Sequence, residues 1–395
     1  MNIVVQKFGG TSVSTEENRK RVVEKIKDVI NEGKSVAVVV SAMGRKGSPY
    51  ATDTLLSLID ENLKKANPRA VDLLLSCGET LSTVVMTNEL LKAGIEAVPL
   101  TGGEAGIKTD DNYNNAAILN VDTKRIMEVL EAGKVPVIAG FQGRADNGST
   151  TTIGRGGSDV TGAIVGAALK ASEVQIYTDV DGIMTADPRI VSDASLIKNI
   201  SYDEVFQFAE QGAKVIHPRA VEISRRYNIP LVIKNTLSNC YGTTINSYVE
   251  DNEKIITGIT HIGNRIQIKI PGTGKNSSNA VFHNLAEANI SIDLISVFPD
   301  KKIFTIGSED FDKFKVVAGK LGINFEYVDN CSKISVIGSK MKGIPGVMSR
   351  ILRALEEGDV EVLQTADSHT TIWCLVGSEK VNTAINLLHR EFNLG

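Results

Sequence analysis

Short apolar runs alternate with segments of helical period along the first 246 residues of the chain. The run Ile3 to Gln6 opens the pattern as a strand. In Ser14-Thr15-Glu16-Glu17 a serine leads and a glutamate follows three positions on, a capping-box spacing that predicts a helix start. That helix carries Val22, Val23, Ile26, Val29 and Ile30 on one face and stops at Gly33. The continuous run Val36 to Val40 suits a strand covered on both faces, the habit of parallel sheets. Residues 95–100, 135–140, 174–178 and 230–234 read as further strands. Residues 55–59, 80–91, 160–170 and 219–227 read as helices. The alternation predicts an α/β fold with a doubly wound, mainly parallel sheet over residues 1–246.

The texture changes after residue 246. Residues 248–254 are polar and acidic and read as a linker. Beyond them NLAEANISIDLI and ALEEGDVEVLQT begin at residues 284 and 354, 70 positions apart. Leu285 matches Leu355, Ile290 matches Val360, and Ile292 matches Val362. The strands IQIKI (266–270) and ISVIG (334–338) precede the two copies. Strand, helix and second strand repeat in order, which predicts two small α+β, ferredoxin-like βαββαβ modules, at 254–328 and 331–395.

Composition narrows the function classes. Hydrophobic content of 42% and charged content of 23% are globular values, and a net charge of −4 offers no electrostatic case for nucleic acid or an anionic membrane. Cys77, Cys240, Cys331 and Cys374 are far apart and form neither a CxxC pair nor a zinc knuckle; they read as reduced thiols. The five histidines match no zinc spacing. The first residues lack a signal-peptide pattern, and no apolar run approaches the ~18 residues a membrane helix needs. The expectation is a cytoplasmic protein.

Five segments carry candidate chemistry. KFGGTSV (7–13) lies between a strand and a helix, the arrangement in which glycine backbone N–H groups and a helix N-terminus receive phosphate. Lys7 there is placed to neutralise a transferred phosphoryl group; because it precedes the glycines, this is not a Walker A loop. TTTIGRGGSDVTG (150–162) is a second glycine-rich helix start, and two of them in one α/β domain suggest a polyphosphate site. YTDVDGIMTADPRIV (177–191) puts Asp179, Asp181 and Asp187 after a strand, where ligands of open α/β sheets bind. Those carboxylates suit water-mediated magnesium, a ribose or base, or a plain polar loop with DG and DP turns. In SCGET (76–80), Glu79 reads as the start of a helix, where the dipole favours a carboxylate. GAKVIHPR (212–219) places Lys214 and His217 at a helix–turn–helix junction.

These segments, with VVVSAMG, the Thr52-Asp53 pair and GFQG, occur in the order and spacing of the aspartokinases, a branch of the amino acid kinase superfamily. The resemblance covers essentially the whole chain. SAMGRKGSPYATDTLL and QTADSHTTIWCLV look most like the Bacillus-type, diaminopimelate-responsive kind. It implies ATP-dependent phosphorylation of the β-carboxylate of L-aspartate to 4-phospho-L-aspartate, the first step toward lysine, diaminopimelate, threonine and methionine. By matching motif, Lys7 and Asp159 are the implied catalytic residues, with Asp159 organising lysines rather than acting as a base. An aspartate carboxylate is ionised at pH 7 and needs no deprotonation. ATP is implied at Lys7, Phe8, Gly9, Gly10, Thr178, Asp179, Met184, Thr185, Ala186, Asp187, Pro188, Arg189 and Lys214. Aspartate is implied at Ser41, Thr52, Glu79, Arg155, Gly156, Gly157 and Ser158, with Glu79 facing its ammonium and Arg155 its α-carboxylate. The resemblance also implies Mg2+ at the phosphates, with no protein metal ligand assigned. The tail resembles paired ACT domains, which implies an amino-acid effector (diaminopimelate or lysine, or threonine) and a homodimer or higher homo-oligomer. The second module has GIPGV before its helix; the first has TGKNSSNAV (273–281), without a Pro-Gly pair.

Overall fold

In the computed structural model the described residues are all but 214, 248–253, 272–273 and 342, and the side chains of 274–279 are likewise left aside. The chain divides into two compact units. The first holds residues 1–183, 196–209 and 214–251; the second holds 184–195, 210–213 and 252–395.

The first unit is built on an eight-stranded sheet. From edge to edge its strands are Asn199–Ser201, Thr243–Asn246, Leu231–Asn235, Glu173–Thr178, Ile3–Phe8, Ser35–Val40, Val135–Ala139 and Ala97–Leu100. Adjacent strands run parallel except Leu231–Asn235 beside Thr243–Asn246. Ile3–Phe8 is buried at every position, and Ser35–Val40 at all but its first, as continuous apolar strands of a doubly covered sheet require. A smaller sheet joins Ile118–Val121, Ile107–Thr109, Gln142–Ala145 and Thr150–Thr152.

The helix expected at 55–59 is instead Thr52–Leu56, with residues 57–59 in a turn, and two further helix starts differ from the sequence expectation. Helix Glu16–Asn31 buries Val22, Val23, Ile26 and Val29 as predicted, but Thr15 is its cap, accepting from the Asn18 N–H. The Ser14 hydroxyl instead donates to the Thr11 carbonyl in the preceding turn, which moves the cap on by one. The second difference bears on the site. A single helix runs Pro68–Lys92, capped by the Asn67 side chain with Pro68 in its first turn. Glu79 therefore lies in its middle and does not start it. Gly78 is no breaker here: a Cβ at that position would come within 2.8 Å of the Ala42 Cβ, so glycine lets the helix pack closely against the loop after Val40. Contrary to the sequence expectation, this helix is by length and composition long and apolar enough to cross a membrane; scattered Ser, Thr and acidic residues break its apolar runs in sequence while leaving the helix as a whole apolar. Its buried face, from Val71 and Asp72 through Glu79 to Leu90, belongs to the core of the first unit.

The second unit carries a six-stranded antiparallel sheet in the order Ile292–Val297, Lys301–Gly307, Gly258–Pro271, Glu326–Ile337, Thr371–Gly377, Gln364–Asp367. The predicted internal repeat is visible in burial and backbone alike. Leu285 and Leu355 are buried, as are Ile290 and Val360, and Asn289 and Asp359 both take φ of 52°. The two long central strands serve both halves. Arg265, Gln267, Ile268 and Lys269 pair with the first part of Glu326–Ile337, whereas Gly258 to Ile262 pair with its last part, across a bulge. The second repeat thus takes its fourth strand from residues 258–262, ahead of the first repeat in sequence. Local periodicity cannot reveal such an exchange.

Candidate active site

The carboxyl ends of the central strands of the first unit bound a cavity of about 420 Å³, at the place where open α/β sheets hold ligands. Lys7 leaves the strand Ile3–Phe8 one residue before its end. Its ammonium lies 2.6 Å from Asp159 Oδ1, and both side chains are largely buried. Asp159 sits in the first turn of helix Gly157–Leu169, where the helix dipole favours a carboxylate. Its other oxygen accepts from the His217 N–H at 3.4 Å. Both glycine-rich segments predicted from sequence therefore meet at one ion pair.

The glycines hold these turns for two reasons. Gly156 has φ of 70°, and a Cβ there would stand 2.1 Å from His217 Cγ. The imidazole lies directly on the turn, and burial pushes its pKa down, keeping it neutral. Arg219 fastens the same turn by donating to the Ile153 carbonyl at 2.6 Å. Gly10 packs backbone on backbone: a Cβ would lie 2.6 Å from the Gly44 carbonyl oxygen and 2.7 Å from that of Ala42. The Gly9 N–H is bonded to the Tyr177 carbonyl at 3.1 Å. Phe8 turns its ring into the core, stacked on Tyr177 at 4.7 Å.

Glu79 reaches the opposite wall from the middle of helix Pro68–Lys92. It is 2% exposed. Oε1 accepts from the Ala42 N–H at 3.2 Å, and Oε2 is buried with no partner among the described residues. Burial pushes its pKa up to about 8. A half-satisfied buried carboxyl lining a cavity is chemically prepared for a cation. Ser41, Thr52, Arg155, Gly156, Gly157 and Ser158 line the same cavity. Every substrate and catalytic residue expected from sequence lines this cavity.

Sequence reasoning missed Asp72. It is fully buried and accepts from the Asn114 N–H, the Thr152 N–H and the Thr152 hydroxyl at 2.7–3.1 Å. Asn114 and Thr152 line the cavity, so Asp72 holds two wall segments against the helix that carries Glu79. The available signal was the seven-residue spacing from Asp72 to Glu79, which puts both on one helical face. Ala42, Gly44 and Phe141 are further lining residues without a motif of their own.

The residues expected at the nucleotide are divided. Thr178 ends the strand Glu173–Thr178, and Asp179, which follows it, pairs with Arg45 at 2.5 Å. Asp181 is taken up by Asn235 and Ser238. Met184 to Arg189 belong to the second unit. There Thr185 is buried and bonded to His389 Nε2 at 2.9 Å, Ala186 is core, and Asp187 grips Arg189. Pro188 lies between that pair. Lys214 lies outside the described residues. Among the described residues no cluster of three His, Cys, Asp or Glu side chains is placed to hold a metal ion.

A lysine and a carboxylate joined across two glycine turns, at the carboxyl edge of a parallel sheet, define a small-molecule phosphotransferase of the amino acid kinase class. The profile of the amino acid kinase family matches residues 2–235, and that of the ACT domain matches residues 326–390. Aspartokinase 1 of Bacillus subtilis is 44% identical, with the whole of both chains covered. Aspartate kinase of Clostridium acetobutylicum superposes with a TM-score of 0.81 at 25% identity, covering 99% of this chain and 100% of that one. E. coli aspartokinase III, solved with lysine and aspartate, superposes at 0.80 and 25% identity, covering 99% of each. The chain belongs to the aspartokinase family.

Proposed function

We propose that the cavity of the first unit transfers the γ-phosphoryl group of ATP to the β-carboxylate of L-aspartate, giving 4-phospho-L-aspartate and ADP. The observation that carries this reading is the pairing of opposite needs in one cavity. The Lys7–Asp159 pair offers a cation to phosphate, and the unpartnered Glu79 oxygen offers an anion to an ammonium. An α-amino acid with a second carboxylate meets both. Its ammonium sits on Glu79, its α-carboxylate on the exposed Arg155 guanidinium, and its β-carboxylate faces Lys7. Ser41, Thr52 and the backbone of Gly156, Gly157 and Ser158 line the remaining wall.

In the transfer, a β-carboxylate oxygen forms the new bond to the γ-phosphorus as the bond to the bridging oxygen breaks, and the electron pair leaves on ADP. No proton moves at the nucleophile. The protein's task is positioning and charge stabilisation. Lys7 stabilises charge on the equatorial oxygens, and Asp159 fixes the ammonium in place. Magnesium enters as the MgATP complex, held largely by phosphate oxygens and water. Thr178 and Asp179 stand where the nucleotide would continue along the strand ends. Met184 to Arg189 and Lys214 remain candidates for it by motif. We assign residues 1–246 to catalysis and the repeats at 254–328 and 331–395 to regulation. The effector is an end-product amino acid; lysine is bound in the E. coli relative, and diaminopimelate is the alternative by motif, with threonine a third candidate. A homodimer or higher assembly in the cytoplasm completes the proposal.

Hydroxylamine trapping of the acyl phosphate tests the substrate. Hydroxamate should form with ATP and aspartate and stay at background with glutamate, whose extra methylene moves the reacting carboxylate away from Lys7. Turnover with glutamate and none with aspartate would overturn the assignment.

A further inference from the structure

We infer that Arg45 is a polyphosphate-binding residue, resting on the reading above that the KFGG turn receives a nucleotide. It lies in the SAMGRKGSPYATDTLL stretch, where sequence alone assigns it no role. Three adjacent strands meet at this edge: Glu173–Thr178, Ile3–Phe8 and Ser35–Val40. Asp179 follows the first, the Gly9-Gly10 turn follows the second, and Arg45 follows the third. The Arg45–Asp179 ion pair, at 2.5 Å, therefore joins the two outer strand ends across the end of the central one, where the glycine turn lies. The loop that carries Arg45 is fixed to that turn. The Gly44 N–H donates to the Gly10 carbonyl at 2.9 Å, and the loop packs so closely that Gly10 cannot bear a Cβ. Gly44, next to Arg45, lines the cavity together with Lys7. Arg45 therefore directly follows a residue of the cavity wall, and its side chain reaches across the end of the strand that carries Lys7.

Charge decides which cation a polyphosphate engages first. Lys7 is held by Asp159 in a largely buried pair. Arg45 and Asp179 are both exposed, at 71% and 45% of their side chains, and an exposed pair costs little to exchange. A multiply charged phosphate chain offers the guanidinium a bidentate anion of higher charge than one carboxylate. Arg45 accordingly passes from Asp179 to the phosphates and closes over them, leaving the Asp179 carboxylate free for the rest of the nucleotide.

Titrations with MgATP, ADP and AMP, alongside steady-state kinetics, test the proposal in Arg45→Ala and Arg45→Lys. Arg45→Ala should weaken MgATP and ADP by about 10-fold, the scale of one charge-assisted contact. AMP affinity and the aspartate KM should stay within about twofold by the same reasoning. Arg45→Lys should recover part of the loss. An indirect role, in which arginine merely neutralises Asp179, predicts instead that Arg45→Ala/Asp179→Asn regains the wild-type preference for ATP over AMP, and that result overturns the proposal. So does unchanged ATP affinity in Arg45→Ala. If Lys7→Ala also kept full turnover, the fault would lie with the nucleotide site itself; loss of turnover there, with Arg45→Ala silent, would sink the Arg45 assignment alone.

Discussion

Lys7→Ala is expected to lower turnover by at least ~100-fold, the scale for loss of one transition-state charge contact. The ammonium is the cation inside the cavity that Asp159 holds 2.6 Å away, so its removal takes away both the contact to the phosphoryl group and the partner of a largely buried carboxylate. The second effect is a stability effect and has to be separated from the first. Breaking one side of a buried pair is destabilising because a charge is left without compensation. The double variant Lys7→Ala/Asp159→Asn removes that charge. It should regain thermal stability over the single variant while remaining inactive. Near-normal activity in either variant would refute the role of Lys7.

Glu79→Gln is expected to raise the aspartate KM by about 30- to 100-fold with little change in the ATP KM, because it deletes one charged hydrogen bond to a buried ammonium. The wild-type protein adds a pH signature. Burial raises the Glu79 pKa from 4.5 to about 8, so at pH 7 the ligand-free carboxyl is mostly protonated. An ammonium requires the ionised form, so binding expels the proton. Aspartate affinity should rise about tenfold between pH 7 and pH 9, and the rise should vanish in Glu79→Gln. Stability moves the other way. A raised folded-state pKa contributes stability that is complete below pH 4.5 and lost as pH climbs through about 8. Ligand-free protein should therefore lose thermal stability over that window, and saturating aspartate should reverse part of the loss. An aspartate affinity that is flat from pH 7 to pH 9 would contradict the assignment.

The central strands were legible in sequence because Ile3–Phe8, Ser35–Val40 and Val135–Ala139 are buried almost throughout and read as apolar runs, whereas the short, half-buried strands Asn199–Ser201 and Thr243–Asn246 carry no such run and were missed. The two glycine turns were legible too, for a reason only partly the one first given. Gly10 and Gly156 answer to packing, against the Gly44 carbonyl and the His217 ring, as much as to any phosphate. The position of Glu79 was misread because Gly78 looks like a helix start, whereas its missing side chain serves a contact with Ala42 that local pattern cannot show. Asp72 lacked a motif because its partners, Asn114 and Thr152, lie 42 and 80 residues away. The placement of Met184 to Arg189 with the second unit, and the loan of residues 258–262 to the second repeat, are likewise products of long-range pairing. Arg45 escaped notice because a lysine- and arginine-bearing loop is ordinarily a solvated surface, and only the strand order puts it beside Asp179.

The central claim is that one cavity holds a nucleotide's terminal phosphates at Lys7 and an amino acid's ammonium at Glu79. A crystal structure with ADP and L-aspartate tests it most directly. The β-phosphate should lie at the Lys7–Gly10 turn, with the aspartate ammonium within hydrogen-bonding distance of Glu79 Oε2 and its α-carboxylate on Arg155. Nucleotide or aspartate bound away from this wall, with Glu79 Oε2 still unpartnered, would contradict it.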